Sequence, residues 1–369
     1  MSTQAKQKTK WTHWLWIVIG LAFMVLFPKL PAVDPITPIG MTLVGVFLGM
    51  IILWSSVSSI WPSIFGLLLV AFSGIVPEQT GYAAVKTVFL NAFGNETTLF
   101  IVFGMIFFAG LDYLGITPYL AKFLLSRKVM EGRPYVILAI IFTTSYIISG
   151  LTVALVSMFL LWPIAIDVCD KLGYKKGDKI FYILIIGIYF AATLGQPLLP
   201  FKGAPYVLVS AFQNASNLTV NYAIYIIIDI IMYAVVMACF LLFIKFIVKP
   251  DVTRLKELKT EDIASEKLPP MNFAQKTMIV VTLLVMAALL IPGICPAGWG
   301  LTKFMAAIGS LGVTVVAISA VMVMQFEGKP VFDFKGVAKK SFSWDIYCLV
   351  AAAIYVCGQI TNEATGIKP

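Results

Sequence analysis

The sequence has few charged residues and almost no histidine. Only 12% of its 369 residues are charged, about half of the roughly 25% that a soluble domain carries. A single histidine, His13, lies near the N-terminus, and the five cysteines are scattered without a C-x-x-C pair. These absences exclude an ordinary soluble enzyme, a disulfide framework and a Cys/His metal cluster. The net charge of +9 lies in short basic clusters between apolar runs, which argues against a nucleic-acid partner.

Apolar residues make up 60% of the chain, and the mean hydropathy is +0.94. A run of about 20 apolar residues crosses the hydrocarbon core of a bilayer as a helix. By that measure the sequence predicts spans near 14–28, 38–54, 60–76, 97–116, 181–201, 221–247, 277–294, 301–324 and 344–361. The predicted fold class is therefore an all-α polytopic protein that lies in the lipid bilayer.

Basic clusters indicate which loops face the cytoplasm, because Lys and Arg are enriched there. The clusters lie at Lys6, Lys8 and Lys10, and at 122–133, 171–179, 249–276 and 329–340. They predict a multi-pass protein of the cytoplasmic (inner) membrane with its N-terminus in the cytoplasm. The first span lacks an A-x-A cleavage site, so we expect it to be a retained helix and not a signal peptide.

The charge-free stretch 134–166 does not fit a single crossing, because basic clusters flank it on both sides. One helix over this stretch would be about 50 Å long, and two full crossings need about 40 residues plus a turn. The pattern predicts a re-entrant hairpin with limbs of about 15 residues and the tip Ser149-Gly150-Leu151-Thr152. Backbone at that depth must be packed in protein or line a cavity, so the tip is a candidate binding element. The alternative is a pair of short tilted spans with a kink.

A second break is predicted within residues 191–206. Three prolines and two glycines between 195 and 205 cannot sustain a helix, so the span that starts at Phe181 must unwind inside the membrane. Lys202 lies in the unwound part, and a cation at that depth needs a partner. Asp229 in the next span is the candidate partner. The alternative places Lys202 at the outer membrane–water interface, with its methylene groups against the lipid and its ammonium in water.

Two parts of the chain resemble each other. Phe93–Leu99 aligns with Phe342–Cys348, and the following spans run in step to Gly115-Ile116 and Gly366-Ile367. The charge map makes the first copy cross from outside to inside and the second from inside to outside. Inverted repeats with broken elements near the membrane midplane are typical of secondary transporters.

The order of these elements resembles the divalent-anion/sodium symporter family of the wider ion-transporter superfamily. In chain order the elements are a Trp-containing span pair, a span that ends in Leu114-Gly115-Ile116-Thr117, a basic linker, the Ser/Thr-tipped hairpin and the broken helix. The resemblance covers nearly the whole chain. The resemblance implies that the tip and the break together form a sodium site and half of a carboxylate site. The positions that match the family pattern are Ser149, Thr152, Gly195, Gly203, Ala204 and Pro205.

The departures from the family pattern concern the coupling ion. Gly150-Leu151 and Tyr206 stand where the family has asparagine, which supplies oxygen to a hard cation, and Gln196 replaces a glycine. A sodium site would then rest on Ser149, Thr152 and Gly195. Lys202, between Pro200 and Gly203, adds a fixed cation, and we expect its ammonium to replace a sodium ion. The coupling ion is therefore sodium or a proton, with no other cofactor expected.

From the inverted repeat and the family resemblance we expect a secondary active transporter of small organic anions, namely di- or tricarboxylates. The hydroxyls of Ser149 and Thr152 and the helix N-termini at the tip and the break would bind a substrate carboxylate. Sulfate or another inorganic oxyanion is an alternative substrate, and an anion channel is an alternative class. No intramembrane nucleophile–base pair is evident, so we expect no enzyme.

The resemblance also implies a homodimer and an elevator-type mechanism. The expected parts are residues 1–117 as first-repeat scaffold, 118–248 as transport unit, 249–272 as cytoplasmic linker and 273–369 as second-repeat scaffold. Counterparts of 118–248 should follow Gly366, but the sequence stops at Pro369. We therefore expect either a truncated chain or a short relative of the family.

Overall fold

The computed structural model describes residues 11–32, 34–216, 218–258, 268–360 and 362–367, and this part of the chain is almost entirely helical. Its helices, in chain order, are α1 (Trp11–Leu26), α2 (Pro38–Ser56), α3 (Ile60–Ala71), α4 (Tyr82–Phe93), α5 (Glu96–Tyr113), α6 (Thr117–Leu125), α7 (Pro134–Leu151), α8 (Ala154–Lys171), α9 (Lys179–Gly195), α10 (Gly203–Ser216), α11 (Tyr222–Phe243), α12 (Phe273–Ile294), α13 (Gly300–Val323), α14 (Phe334–Ser341) and α15 (Trp344–Ile360). Two short strands, β1 (Gln325–Phe326) and β2 (Lys329–Pro330), pair antiparallel.

Eight helical segments of the described residues are long and apolar enough to cross a membrane. They are Trp11–Lys29, Pro38–Ser56, Glu96–Tyr113, Pro134–Leu151, Lys179–Leu198, Tyr222–Val248, Phe273–Ile294 and Gly300–Val323. The pair α14 and α15, bent by 75°, passes the same test when it is taken as one span. These segments confirm the all-α polytopic fold class. Lys6, Lys8 and Lys10 of the orientation argument, and residues 259–267 of the expected linker, lie outside the described residues.

The predicted span 60–76 is wrong in its length. Its helix, α3, has 12 residues and ends at Ala71. The chain then turns at Gly74, whose φ is +83°, and Pro77 follows. Glycine and proline at these positions end the helix although the apolar residues continue to Val76.

The structure divides into two compact units. The first is formed by Met1–Val102, Val207–Thr219 and Ser343–Pro369, and the second by Phe103–Tyr206 and Val220–Phe342. In the first unit, α1 and α2 touch at glycines: a Cβ on Gly49 would lie 2.6 Å from the carbonyl oxygen of Gly20. Small residues at such a contact allow two membrane helices to pack backbone against backbone.

In the second unit, α7 and α8 fold back on one another as a hairpin. Ser145 of α7 and Ser157 of α8 face each other across the hairpin, and their hydroxyl oxygens lie 2.9 Å apart. The turn is at Thr152 and Val153, whose backbone is non-helical, so it falls at the C-terminal end of the predicted tip. Each limb has 18 residues, about 27 Å of helix. That length fits both a re-entrant hairpin and a pair of short spans, and re-entry stays a prediction.

The predicted break follows α9. Gly195 ends that helix, a 3₁₀ turn covers Gln196–Leu198, and the chain then remains non-helical until α10 begins at Gly203. Pro197 and Pro200 lie within this interval. Proline removes a main-chain donor and fixes φ, which explains why the helix stops here.

The two similar parts of the sequence fold in the same order. A short helix precedes a long one in both, α4 before α5 and α14 before α15. Gly115 lies two residues after α5, and Gly366 ends the 3₁₀ turn Glu363–Thr365 that comes after α15. Their φ values are +67° and +62°, a conformation that glycine adopts without a steric cost. The repeat is thus visible in the local structure. The opposite orientation of its copies and the division into scaffold and transport unit stay predictions.

Candidate functional site

Lys202 joins the broken helix to the hairpin. It is the last residue before α10, and its Nζ donates hydrogen bonds to the carbonyl oxygens of Ser149 (3.1 Å) and Gly150 (2.8 Å). Both carbonyls belong to the last turn of α7, where main-chain oxygens lack partners within the helix. The negative end of the helix dipole favours a cation there. The ammonium therefore occupies a place with the chemistry of a cation site.

The hydroxyls of the tip face the protein interior. Ser149 Oγ donates to the carbonyl oxygen of Ala192 at 2.6 Å, and Thr152 Oγ1 donates to that of Ile148 at 2.7 Å. Both side chains are buried. Because these hydrogens are bound to main-chain oxygens, the two hydroxyls do not act as anion donors in this structure, contrary to the expectation from the sequence.

Two glycines allow the tip and the break to approach each other. A Cβ on Gly150 would lie 2.4 Å from the side chain of Leu198, and one on Gly195 would lie 2.2 Å from the carbonyl oxygen of Tyr146. Any larger residue would separate the tip from the break. The remaining predicted site residues lie in the same segment: Gln196 is exposed, Pro200 is buried, Gly203 starts α10 with φ of +55°, and Pro205 follows in its first turn.

Two helices begin close in sequence to the Lys202 contact. α8 begins at Ala154, a few residues after the carbonyls that Lys202 binds, and α10 begins directly after Lys202. The first N–H groups of a helix have no partner within it and carry partial positive charge. An ammonium and two helix N-termini are chemically suited to a carboxylate group of a ligand.

Asp229 does not pair with Lys202. Its Oδ2 accepts a hydrogen bond of 2.6 Å from Tyr146 Oη. In the part of the chain that the structure describes, no ion pair links Asp229 to Lys202, so the expected partnership is wrong. Lys202 Nζ donates to two main-chain carbonyls of α7 instead, and the phenol of Tyr146 donates to the carboxylate of Asp229.

Sequence reasoning missed Tyr146, the partner of Asp229, and Tyr233, which stacks on Tyr146. The rings of Tyr146 and Tyr233 are stacked with centroids 3.8 Å apart, and Tyr233 Oη donates to Thr143 Oγ1 at 3.1 Å. A signal was present, because Asp229 and Tyr233 are four residues apart and share one helix face. The polar run from Thr143 to Tyr146 in an otherwise apolar helix was another.

The family model for citrate transporters matches residues 50–366. This match covers most of the chain, including the hairpin, the break and Asp229, and the protein belongs to the citrate transporter family. No curated protein matches the chain. The match confirms the resemblance to a symporter family of anion transporters. Family membership supports transport of citrate or another anion across a membrane.

Proposed function

We propose that the protein is a secondary active transporter of citrate and chemically similar di- and tricarboxylates in the cytoplasmic membrane. The family match supports citrate as the representative substrate. The observation that supports the site is the contact of Lys202 Nζ with the carbonyl oxygens of Ser149 and Gly150. This contact holds a positive charge between the hairpin tip and the broken helix.

In the proposed site a substrate carboxylate binds beside Lys202. The ammonium has three N–H donors and uses two on the α7 carbonyls, so one remains for an anion. The N-termini of α8 and α10 add main-chain donors. Fixed donors of this kind suit the planar, delocalised charge of a carboxylate.

The ammonium also takes the place of a coupling sodium ion at the tip. A sodium ion binds oxygen ligands, and the carbonyl oxygens of Ser149 and Gly150 at the end of α7 would supply two if Lys202 were absent. Lys202 already binds both oxygens. Transport should therefore need no sodium at this position, and a proton is the proposed coupling ion.

The proposed moving part is residues 118–248, working as an elevator in a homodimer whose N-termini face the cytoplasm. Within this part, α7 and α9 are joined by hydrogen bonds that Ser145 and Ser149 donate to the carbonyl oxygens of Ile188 and Ala192. Such internal bonds would keep the hairpin and the broken helix together as one body during movement.

The test is uptake of labelled citrate into proteoliposomes, with succinate and sulfate as competitors. Lys202→Ala should raise the citrate concentration for half-maximal uptake by about 10- to 100-fold, the loss expected for one charged hydrogen bond to the substrate. Lys179→Ala is the matched control, because Lys179 Nζ also donates to a main-chain carbonyl, that of Val248 at 2.9 Å. This control should transport normally.

Three results would contradict the proposal. Competition by sulfate with no competition by succinate would indicate an inorganic oxyanion transporter. Unitary currents at fixed voltage would indicate a channel. Equal uptake by Lys202→Ala and Lys179→Ala would remove Lys202 from the site and leave it as an interfacial residue.

A further inference from the structure

A carboxylate lies within the most apolar candidate span of the described residues. The most apolar 18-residue stretch of the segment Tyr222–Val248 has a mean hydropathy of 2.7, the highest such value among the eight segments, and Asp229 is the only acidic residue of the segment. The neighbouring side chains of Ile228 and Ile230 are exposed, so this part of α11 presents an apolar surface that the described residues do not cover. A charged group in such a helix is costly and marks a functional site by default.

The carboxylate is poorly compensated when it is ionised. Among the described residues, its one hydrogen bond comes from the neutral phenol of Tyr146. An ionised carboxylate in apolar surroundings normally needs a cation or several donors. Binding a proton would remove the charge and with it this cost.

In the part of the chain that the structure describes, the main elements packed against α11 bring no compensating charge to Asp229. α7 contributes Tyr146, and the helix itself contributes Tyr225 and Tyr233. α9 and α12 each carry one charged residue, Lys179 and Lys276, both in the first turn. The charged residue beyond the 3₁₀ turn, Lys202, is bound to the hairpin carbonyls, and Lys245 in the following π-helical turn lies over the rings of Tyr135 and Phe246.

We propose that Asp229 and Tyr146 form a proton-binding site in the second unit, and that this site takes up the coupling proton during anion transport. The inference rests on the proposed function and adds a residue that the anion site does not contain. The proton adds to one carboxylate oxygen of Asp229, and Tyr146 keeps its hydrogen bond to the other. No oxidant, reductant or further reactant is needed.

The geometry links this site to the hairpin tip through α7. Tyr146 lies three residues before Ser149, about one helical turn, and the carbonyl of Ser149 binds Lys202. Gly195 packs against the main chain of Tyr146 itself. A change of charge at Asp229 therefore acts on the helix turn that carries both the tip and the contact with the broken helix.

The first measurement detects the proton without substrate. Infrared difference spectra of the purified protein, taken across a pH titration, should contain the carbonyl band of a protonated carboxyl group in a dry environment. Asp229→Asn should remove this band, whereas Asp167→Asn should leave it. Asp167 is the matched control because it is an exposed acid paired with Lys171 at 2.8 Å.

The second measurement is uptake driven by a pH gradient. Asp229→Asn should still bind citrate but lose accumulation driven by the gradient, and Asp229→Glu should restore both the band and the accumulation. Tyr146→Phe should move the midpoint of the pH profile upward, because the ionised carboxylate loses its donor. If Asp229→Asn does not fold, the shift in Tyr146→Phe decides.

The two proposals fail in different ways. A band that persists in Asp229→Asn, or an unchanged pH profile in both Asp229→Asn and Tyr146→Phe, would overturn the proton site. Absence of citrate binding and uptake by the parent, with the infrared titration intact, would overturn the anion transport and leave the proton site standing.

Discussion

The contact between α9 and the hairpin depends on the absence of a side chain at Gly195. A Cβ at this position would lie 2.2 Å from the carbonyl oxygen of Tyr146, whereas ordinary contacts begin at 3.4 Å. Gly195→Ala would therefore require the end of α9 and α7 to separate by about 1.2 Å, the difference between these two distances. The obstacle is backbone, which has no rotamer by which to move away.

The expected loss is the overpacking cost less the gain in helix propensity. Overpacking costs typically 1–3 kcal/mol, roughly the upper end when main chain is the obstacle, and Gly→Ala within a helix returns about 1 kcal/mol. The net loss is thus about 2 kcal/mol, or several degrees in melting temperature by the roughly 2–4 °C per kcal/mol of larger domains. Separation should also weaken the Lys202 contact, so citrate uptake should fall.

The assay is thermal unfolding in detergent, followed by size-exclusion chromatography. Gly358→Ala in α15 is the matched control, since a Cβ there meets no atom within 4 Å. It should leave the melting temperature unchanged or raise it. If Gly195→Ala has the same melting temperature as Gly358→Ala, α9 does not approach α7 as closely as described, and the geometry of the site is wrong.

Two further predictions concern the hairpin. Lys128 and Lys176 are both exposed, so each can be replaced by cysteine in a cysteine-free background. Both cysteines should resist an impermeant thiol reagent added outside intact cells and should react after permeabilisation. Labelling of only one of them from outside would mean that the stretch between them crosses the membrane once. Ser157→Ala should lower stability by about 1 kcal/mol, because it removes the hydrogen bond that Ser157 Oγ donates to the carbonyl oxygen of Ser145. An unchanged melting temperature would contradict the pairing of the two limbs.

Local chemistry made the hairpin and the break predictable. The hairpin follows from a charge-free stretch between basic clusters, and the break follows from Pro197, Pro200 and the flanking glycines. These signals act within a few residues, so they can be read without knowledge of the packing. The error at α3 is also local, because Gly74 and Pro77 end the helix inside a run of apolar residues.

The partners of the polar side chains could not be predicted from the sequence. Lys202 binds carbonyls at the end of α7, more than fifty residues away in sequence. Asp229 of α11 accepts a hydrogen bond from the phenol of Tyr146 in α7. Such pairings depend on which helix faces meet, and the sequence pattern does not specify them. Opposite charges suggested a Lys202–Asp229 pair, but the unpaired oxygens of a helix end are equally good partners for an ammonium.

The sodium dependence of citrate uptake tests whether Lys202 occupies the place of a coupling ion. We expect the parent protein to take up citrate equally well with sodium or with choline outside. Uptake by Lys202→Ala should become sodium-dependent, because the freed carbonyls of Ser149 and Gly150 can then bind the ion. Steep sodium dependence of the parent, together with normal uptake by Lys202→Ala, would show that Lys202 does not occupy the place of a coupling ion.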